Sequence, residues 1–177
     1  VLTFSPDGSR LACLSWPDEV AVWEVDQWTV VRQIRGVRPS GYHIGALDFS
    51  PDGKALVIGD ADHRLQVIDL ASGNTDVNIP EAHPEPITAV AWSPNGSIIA
   101  STSGWTGGPI RLWNAASGES LGELPGHTSW VSELIFSADG VWLYSAGADQ
   151  TVRIWDVGAQ QPLATLRGSR DEVYGLA

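Results

Sequence analysis

The chain has 177 residues, and 43% of them are hydrophobic, a proportion that can bury a globular core and that a disordered tail would lack. The net charge of −11, with only 10 lysines and arginines, excludes the basic surface that nucleic acids and anionic membranes attract. A single cysteine, Cys13, excludes an internal disulfide framework, and no apolar run reaches the roughly 18 residues of a membrane span.

Two short markers recur in phase along the chain. The first reads FSPDG at 4–8, FSPDG at 49–53, WSPNG at 92–96 and FSADG at 136–140, and its glycines are 45, 43 and 44 residues apart. The second follows each of these and reads VWEV at 22–25, VIDL at 67–70, LWNA at 112–115 and IWDV at 154–157. Proline, aspartate and glycine in the first marker are typical of hairpin turns. The markers therefore divide the chain into four repeats of one array.

Each repeat has the pattern of four short antiparallel strands. In the fourth repeat these are WVSELIFS (130–137), VWLYSA (141–146), TVRIWDV (151–157) and PLATLR (162–167). The strands are separated by turns, and helical periodicity is absent from the sequence. Four-stranded units that cannot each bury both faces must stack on their neighbours. The pattern therefore predicts an all-β fold, either a solenoid or a propeller.

The fourth repeat also carries a family resemblance. Gly126-His127 is followed by FSADG and then by TVRIWD, which ends in Trp155-Asp156. This pattern recurs over nearly the whole chain and resembles the WD-repeat family of β-propellers. The resemblance implies a propeller of four-stranded antiparallel blades, with about four blades and the first strand of a fifth, as an incomplete part of a larger, seven-bladed ring.

We expect one partial domain over residues 1–177, with its repeats out of phase with its blades. The expected blades lie at 1–35, 43–80, 86–125 and 130–167, and the next blade starts at 172–177. In a closed four-bladed ring, residues 1–5 and 172–177 would compete for one innermost position. We therefore expect further blades, supplied by the rest of a longer chain or by a second copy. The start at Val1 and the absence of methionine also favour a piece of a longer protein.

The serine, histidine and aspartate of the fourth repeat could serve catalysis or structure. The resemblance implies a buried hydrogen-bonded set of His127, Ser145, Asp149 and Trp155, and a partial set of His83, Ser101 and Trp113 in the third repeat. A catalytic serine needs an exposed Oγ beside an oxyanion hole, which a residue inside a blade does not offer. We therefore predict no catalytic residue and no enzymatic activity.

The second repeat departs from this set. Ile58 takes the serine position and Ile68 the tryptophan position, so we expect apolar packing instead of hydrogen bonds there. No metal site or cofactor is predicted. The four histidines come one per loop, and Cys13 has no thiol partner.

The resemblance also implies a binding face, formed by the loops that enter the first strand of each blade and those that join its second and third strands. The residues expected on this face are Trp16, Tyr42, His43, Pro86, Thr88, Trp105, Trp130, Ser132, Glu172 and Tyr174. Exposed tryptophan and tyrosine are favoured as binding anchors, but the same indoles could instead cap neighbouring blades. Trp28 and Trp142 lie nearer the rim, where we expect packing.

We therefore expect a non-catalytic WD-repeat scaffold or sensor domain of a larger multidomain protein, similar to bacterial examples. It would bind a protein or another ligand through its loop face, in the cytoplasm, and would bind neither nucleic acid nor membrane. The alternative is the substrate-gating propeller of a prolyl-oligopeptidase-like hydrolase. The sequence contains no Gly-x-Ser-x-Gly nucleophile elbow, which disfavours that alternative.

Overall fold

A computed structural model describes residues 1–15, 17–38, 46–168, 171–173 and 175–176. These residues contain sixteen strands and no assigned helix. The strands form four antiparallel sheets, each with its four strands in sequence order from the inside to the outside of the array. The sheets follow one another in an open ring, which confirms the predicted all-β fold of four-stranded units.

The strand bounds are as follows. Sheet 1 contains β1 (Leu2–Phe4), β2 (Arg10–Ser15), β3 (Glu19–Glu24) and β4 (Thr29–Arg35). Sheet 2 contains β5 (Ala46–Phe49), β6 (Ala55–Gly59), β7 (Leu65–Asp69) and β8 (Thr75–Ile79). Sheet 3 contains β9 (Ile87–Trp92), β10 (Ile98–Ser103), β11 (Ile110–Asn114) and β12 (Ser120–Leu124). Sheet 4 contains β13 (Val131–Phe136), β14 (Trp142–Gly147), β15 (Thr151–Asp156) and β16 (Gln161–Arg167).

The repeated FSPDG-type marker forms the hairpin between the first two strands of every sheet. In sheet 4, the Ser137 hydroxyl donates to Asp139 Oδ1 at 2.6 Å and accepts the Trp142 N–H at 2.9 Å. Gly140 adopts a φ of 72°, a conformation that favours glycine. Equivalent bonds form around Ser5, Ser50 and Ser93, with Asn95 in place of the aspartate in sheet 3, so the marker recurs because each hairpin is closed in the same way.

The hydrophobic core lies between the sheets and not within any one of them. One cluster joins sheets 1 and 2, a second joins sheets 2 and 3, and a third joins sheets 3 and 4. Because side chains alternate along a strand, each sheet sends one set of apolar residues to each neighbour. Ile58 and Ile68 are buried in the first cluster, so in sheet 2 apolar packing occupies the serine and tryptophan positions.

The end of the chain lies against sheet 4. Ser132 Oγ donates to the carbonyl of Val173 at 2.7 Å, and the N–H of Leu176 donates to the Glu133 carboxylate. Residues 172, 173, 175 and 176 are described and are not assigned to a strand. The start of a further blade at 172–177, like the blade boundaries proposed from the sequence, stays a prediction.

Two expectations about rim tryptophans are wrong. Trp28 is 66% exposed and Trp142 is 40% exposed, although the sequence analysis expected both to be packed. Trp28 lies in the turn between β3 and β4, and Trp142 begins β14 directly after a hairpin. Neither position is covered by another sheet among the described residues.

The described residues include no helix with the length and hydropathy that crossing a bilayer requires.

Sheet 2 approaches sheet 3 closely at Gly59. A Cβ at this position would contact Ile87 Cγ2 and would lie 2.9 Å from Ala46 Cβ. Because Ile87 is fully buried, we expect Gly59→Ala to lower the free energy of unfolding by about 1–3 kcal/mol, measured by urea denaturation. In an Ile87→Ala background the same change should cost less, because the contact with Ile87 Cγ2 is removed and only the contacts with the Cβ atoms of residues 87 and 46 remain. Equal costs in both backgrounds would contradict this explanation.

Candidate functional site

The structure brings His127, Ser145, Asp149 and Trp155 together inside sheet 4. His127 Nδ1 lies 2.9 Å from Asp149 Oδ2, and its Nε2 lies 2.7 Å from Ser145 Oγ. The same Oγ accepts the indole N–H of Trp155 at 2.8 Å. A neutral imidazole with its proton on Nδ1 satisfies every group, because Nε2 then accepts the serine proton. The four side chains thus tie the loop before β13 to β14, to the β14–β15 turn and to β15.

Burial and hydrogen bonding shift the pKa values of the two titratable groups of this set. Burial lowers the pKa of His127, although the nearby Asp149 carboxylate opposes that shift. Burial opposes ionisation of Asp149, but hydrogen bonds from Thr151, Thr128 and His127 outweigh it and lower the pKa of the carboxyl. The set therefore holds a neutral histidine beside an ionised aspartate at neutral pH.

Sheet 3 contains a shorter version of the same set. His83 Nε2 lies 2.7 Å from Ser101 Oγ, which also accepts the Trp113 indole N–H at 2.8 Å. No aspartate faces the second imidazole nitrogen in the described hydrogen bonds. Burial, together with the positive charge of Arg111, lowers the pKa of His83 to about 3.

This geometry does not suit nucleophilic catalysis at Ser145. The hydroxyl has no solvent exposure, its proton is directed to His127, and its oxygen already accepts an indole N–H. A substrate carbonyl could reach Oγ only if Trp155, which is also fully buried, left the interface between sheets 3 and 4. We therefore interpret the set as structural.

Replacing Trp155 by phenylalanine tests that interpretation. The change leaves the Ser145 oxygen without its indole donor, so we expect a loss of about 1–3 kcal/mol in the free energy of unfolding. Ile68→Val, at the equivalent position of sheet 2, removes only one methyl group and should cost about 0.5–1.5 kcal/mol. Urea denaturation of both variants gives the comparison. A Trp155→Phe cost no larger than that of Ile68→Val would argue against a hydrogen-bonding role.

The buried His83 predicts a specific sensitivity to acid. Its pKa is lowered from 6.5 to about 3, so the stability it contributes is complete above pH 6.5 and declines as the pH falls towards 3. At pH 4 the loss should reach about 3 kcal/mol. His83→Gln, which does not titrate, should therefore show a shallower fall in unfolding free energy between pH 6.5 and 4. Parallel pH profiles for the two proteins would show that His83 is not the group responsible.

The predicted binding face is only partly visible. Trp16, Tyr42, His43 and Tyr174 lie outside the described residues. Pro86, Trp105, Ser132 and Glu172 are described and at least partly exposed. Thr88 is buried, and its hydroxyl has no hydrogen-bond partner among the described residues, so it does not contribute an exposed contact.

Trp105 and Trp130 form a pair that joins two consecutive sheets. Their ring centroids are 5.8 Å apart, and the ring planes are tilted by 58°. Trp105 lies in the loop between β10 and β11, whereas Trp130 directly precedes β13. Trp105 nevertheless remains 44% exposed. The two loops thus present a pair of indoles, one of them half exposed, where sheets 3 and 4 meet.

Contacts between its backbone and neighbouring segments hold the loop that carries Trp105. The Trp105 N–H donates to Glu85 Oε2 at 3.1 Å, and the Gly104 N–H donates to the Pro86 carbonyl at 3.1 Å. Gly107 has a φ of 80°, and a Cβ there would lie 2.7 Å from the backbone of residues 127–129. Glycine is required at Gly107 because the loop rests directly on the segment that leads into β13. Sequence reasoning missed Glu85, since nothing in its motif links it to a loop twenty residues away.

Thr88 in β9 and Ser132 in β13 lie at β-bulges in equivalent positions of sheets 3 and 4. The pairing register shifts beside Thr88 in β9 and beside Ser132 in β13. A bulge redirects a side chain from its normal place in a strand. Ser132 Oγ consequently reaches the carbonyls of Ala146 and Val173 instead of pointing freely to solvent. Ser132 thus connects sheet 4 to the segment that follows it.

The innermost strands of the four sheets line a cavity of about 750 Å³. Trp130 is among the lining residues, and the charged side chains on the wall are Asp48 and Glu133. Asp48 Oδ2 accepts the N–H of Trp92 at 2.8 Å and so links sheets 2 and 3. Burial raises the pKa of Asp48 to about 6. No lysine, arginine or histidine is among the described residues on this wall, so its charge is negative at neutral pH.

No group of three or more His, Cys, Asp and Glu side chains in the described part of the chain is placed to hold a metal ion.

Comparison with protein families gives three matches to the family described as WD domain, G-beta repeat, at residues 31–69, 74–114 and 118–156. Together they cover more than half of the chain. The chain belongs to the WD-repeat family. Each matched repeat begins in or just before the outer strand of one sheet and ends with the third strand of the next. This confirms the resemblance seen in the sequence.

Similar proteins come from distant organisms. Nuclear distribution protein PAC1 of Arthroderma benhamiae is 27% identical over 171 residues, which are 91% of this chain and 36% of that protein. Transcriptional corepressor LEUNIG_HOMOLOG of Arabidopsis thaliana is 23% identical over 177 residues, 99% of this chain and 21% of that protein. An uncharacterized WD repeat-containing protein of Synechocystis is 31% identical over 168 residues, 88% of this chain and 47% of that protein. The chain thus spans less than half of each relative, and none of these three supports the hydrolase alternative.

Proposed function

We propose that this chain is a non-catalytic interaction domain of a larger protein and that it binds a protein segment at the Trp105–Trp130 pair. The observation that carries the proposal is the pairing of two indoles from consecutive sheets, 5.8 Å apart, with Trp105 still 44% exposed. Family membership supports an interaction role. The identity of the partner and the binding residues are our inference.

The way the Trp105 loop is held favours binding over simple capping. Glu85, Pro86 and the segment at 127–129 fix its backbone, so the indole is presented by a rigid loop. A preordered tryptophan buries a large area in a partner at a small cost in entropy. If Trp105 served only to cover the neighbouring sheet, contact between the two rings would be enough. The exposed part of the Trp105 indole would then have no role.

The charge around the pair favours a partner segment that contains lysine or arginine. Glu85 contacts the Trp105 loop, and Glu133 lies on the cavity wall that also includes Trp130. Neither carboxylate forms an ion pair with a described residue. The whole chain carries a net charge of −11. A cationic side chain would gain both carboxylate attraction and contact with an indole face.

The Trp105 loop rests on the segment leading into β13, so a bound partner contacts elements of both sheet 3 and sheet 4. Such a site could report occupancy to another domain, as a sensor does. Cys13 is a free thiol, which suits a reducing compartment such as the cytoplasm.

The test is selection of binding peptides from a random displayed library on the wild-type chain, followed by measurement of each peptide's dissociation constant. Trp105→Ala and Trp130→Ala should each weaken binding by about 30-fold or more, as expected for a binding hot spot. Trp142→Ala is the matched control, since Trp142 is similarly exposed but begins β14 at the opposite end of sheet 4. It should change binding by less than about threefold.

A separate variant tests the proposed preference for peptides that contain lysine or arginine. Glu85→Gln keeps an oxygen that can accept the Trp105 N–H but removes the charge, so it should weaken peptides that contain lysine or arginine and leave neutral ones unchanged. Peptides that bind equally well to the Trp105→Ala, Trp130→Ala and wild-type chains would refute the proposed site. Peptides without basic residues that still depend on both tryptophans would refute only the charge preference.

A further inference from the structure

One arginine of sheet 4 lacks the acidic partner that its counterpart in sheet 3 has. Arg153 in β15 corresponds to Arg111 in β11, since each lies two residues before the buried tryptophan of its strand. Arg111 forms an ion pair with the outer strand, whereas Arg153 faces Thr165 there. We propose that Thr165 is a phosphorylation site and that its phosphate pairs with Arg153.

Sheet 3 contains the complete form of this contact. Arg111 lies opposite Glu123 of β12, and its Nε donates to Glu123 Oε1 at 2.9 Å. Its Nη1 donates at 2.7 Å to the carbonyl of Ala82, the residue directly before His83. The guanidinium thus connects the third strand, the outer strand and the loop that carries the histidine.

Arg153 repeats this arrangement except at one atom. Its Nη1 lies beside Gly126, the residue directly before His127, so closely that a Cβ at Gly126 would collide with it. Its guanidinium carbon lies 5.8 Å from the centre of the Trp155 ring. Its Nε, the atom that in Arg111 donates to the glutamate, is buried and has no hydrogen-bond partner among the described residues. A buried donor without an acceptor is costly, so the site lacks one acceptor.

Residue 165 is placed to supply that acceptor. Thr165 lies opposite Arg153 in the same register that joins Glu123 to Arg111, and side chains paired in this way lie on one face of the sheet. The threonine hydroxyl is shorter than a glutamate side chain. In phosphothreonine, however, the terminal oxygens are as many bonds from Cβ as the carboxylate oxygens are in glutamate. Phosphorylation therefore gives Thr165 the reach of Glu123 and a charge of about −1.5 to −2.

The exposure of Thr165 does not depend on its place in the last described sheet. The equivalent residues of the other outer strands, Gln33, Asn78 and Glu123, are exposed too, although another sheet follows each of theirs. Thr165 also lies on the face that includes Trp155, and this face packs against sheet 3. A sheet placed after sheet 4 would cover the opposite face and leave Thr165 accessible to a modifying enzyme.

The charges near Thr165 favour a phosphate. Arg167 lies two residues further along β16 and therefore on the same face. Neither Arg153 nor Arg167 forms an ion pair with a described residue. The chain as a whole carries a net charge of −11, which would repel an added dianion at most positions. At Thr165 the phosphate instead meets two guanidinium groups, to which it can form charge-assisted hydrogen bonds.

The modification is transfer of the terminal phosphoryl group of ATP by a protein kinase that accepts threonine. Thr165 Oγ1 forms a bond to the γ-phosphorus, the bond from that phosphorus to the β–γ bridging oxygen breaks, and ADP leaves. The hydroxyl proton passes to the catalytic base of the kinase. The new phosphate joins β16 to β15 and, through Arg153, to the segment before β13. Phosphorylation thus completes in sheet 4 the contact that Glu123 makes in sheet 3.

Peptide mapping of the natural protein tests whether the site is used. Trypsin cleaves after Arg153 and Arg167 and releases the peptide 154–167, in which Thr165 is the only residue with a hydroxyl group. Protein isolated from growing and from nutrient-limited cells should yield this peptide partly in a form heavier by one phosphoryl group, which a phosphatase removes. Detection of the peptide in its unmodified form alone, under both conditions, would overturn the proposal.

Phosphorus NMR tests the pairing with Arg153. Phosphothreonine is incorporated at Thr165 during expression, and the pKa of its phosphate is followed through the chemical shift. Arg153 should keep this pKa at least about half a unit below its value in the Arg153→Gln variant, because the guanidinium favours the dianion. Phosphothreonine at Thr75 is the matched control, since Thr75 is exposed on β8 and lies opposite Ile68. Its phosphate pKa should be the same with and without Arg153.

Equal pKa values for the phosphate at Thr165 in wild type and in Arg153→Gln would show that the arginine does not hold it, and would overturn the proposal. Circular dichroism checks that Arg153→Gln keeps its β structure. If it does not, the comparison is made within the wild-type chain, where the phosphate at Thr165 should have a lower pKa than the phosphate at Thr75. Equal values at the two positions would then refute the pairing.

Discussion

The structure depends on one constraint, that a four-stranded sheet with two apolar faces cannot bury either of them by itself. Every core cluster in the described residues is shared between neighbouring sheets. Stacking is therefore the source of stability, and the loops, hairpins and hydrogen-bonded sets refine an arrangement that apolar burial imposes. The buried polar side chains have local tasks within this arrangement. Ser5, Ser50 and Ser93 close the first hairpins of their sheets, and His127 and Ser145 tie a connecting loop to sheet 4.

The histidine, serine and tryptophan sets show two solutions to that problem. Sheet 4 holds its connecting loop by a chain of hydrogen bonds that ends on Asp149, and sheet 3 uses the same chain without the aspartate. Sheet 2 replaces the serine and tryptophan with Ile58 and Ile68 and packs them in the core. A fully satisfied polar set and a fully apolar one are both acceptable in a buried layer, whereas a partly satisfied one is costly. The repeats diverge within that limit.

Sequence reasoning predicted the features that local chemistry determines. The hairpin markers contain their own hydrogen bonds, so their position and the strand order followed directly from residues such as Ser137 and Asp139. It failed where long-range contacts decide the outcome. Glu85 contacts Trp105 across twenty residues, a bulge accompanies the burial of Thr88, and Trp28 has no sheet over it among the described residues. None of these depends on a pattern within a few residues, and Trp16, Tyr42, His43 and Tyr174 lie outside the described part of the chain.

The offset between repeat and sheet affects how such a chain can change in length. Each family repeat begins at the outer edge of one sheet and finishes at the third strand of the next, so sheets 2 and 3 are each made from two successive copies of the unit. Gene duplication or loss of one whole unit therefore inserts or removes a complete sheet while preserving every hairpin and strand order. Because each unit contributes strands to two adjacent sheets, recombination can change the number of sheets without leaving any sheet short of a strand.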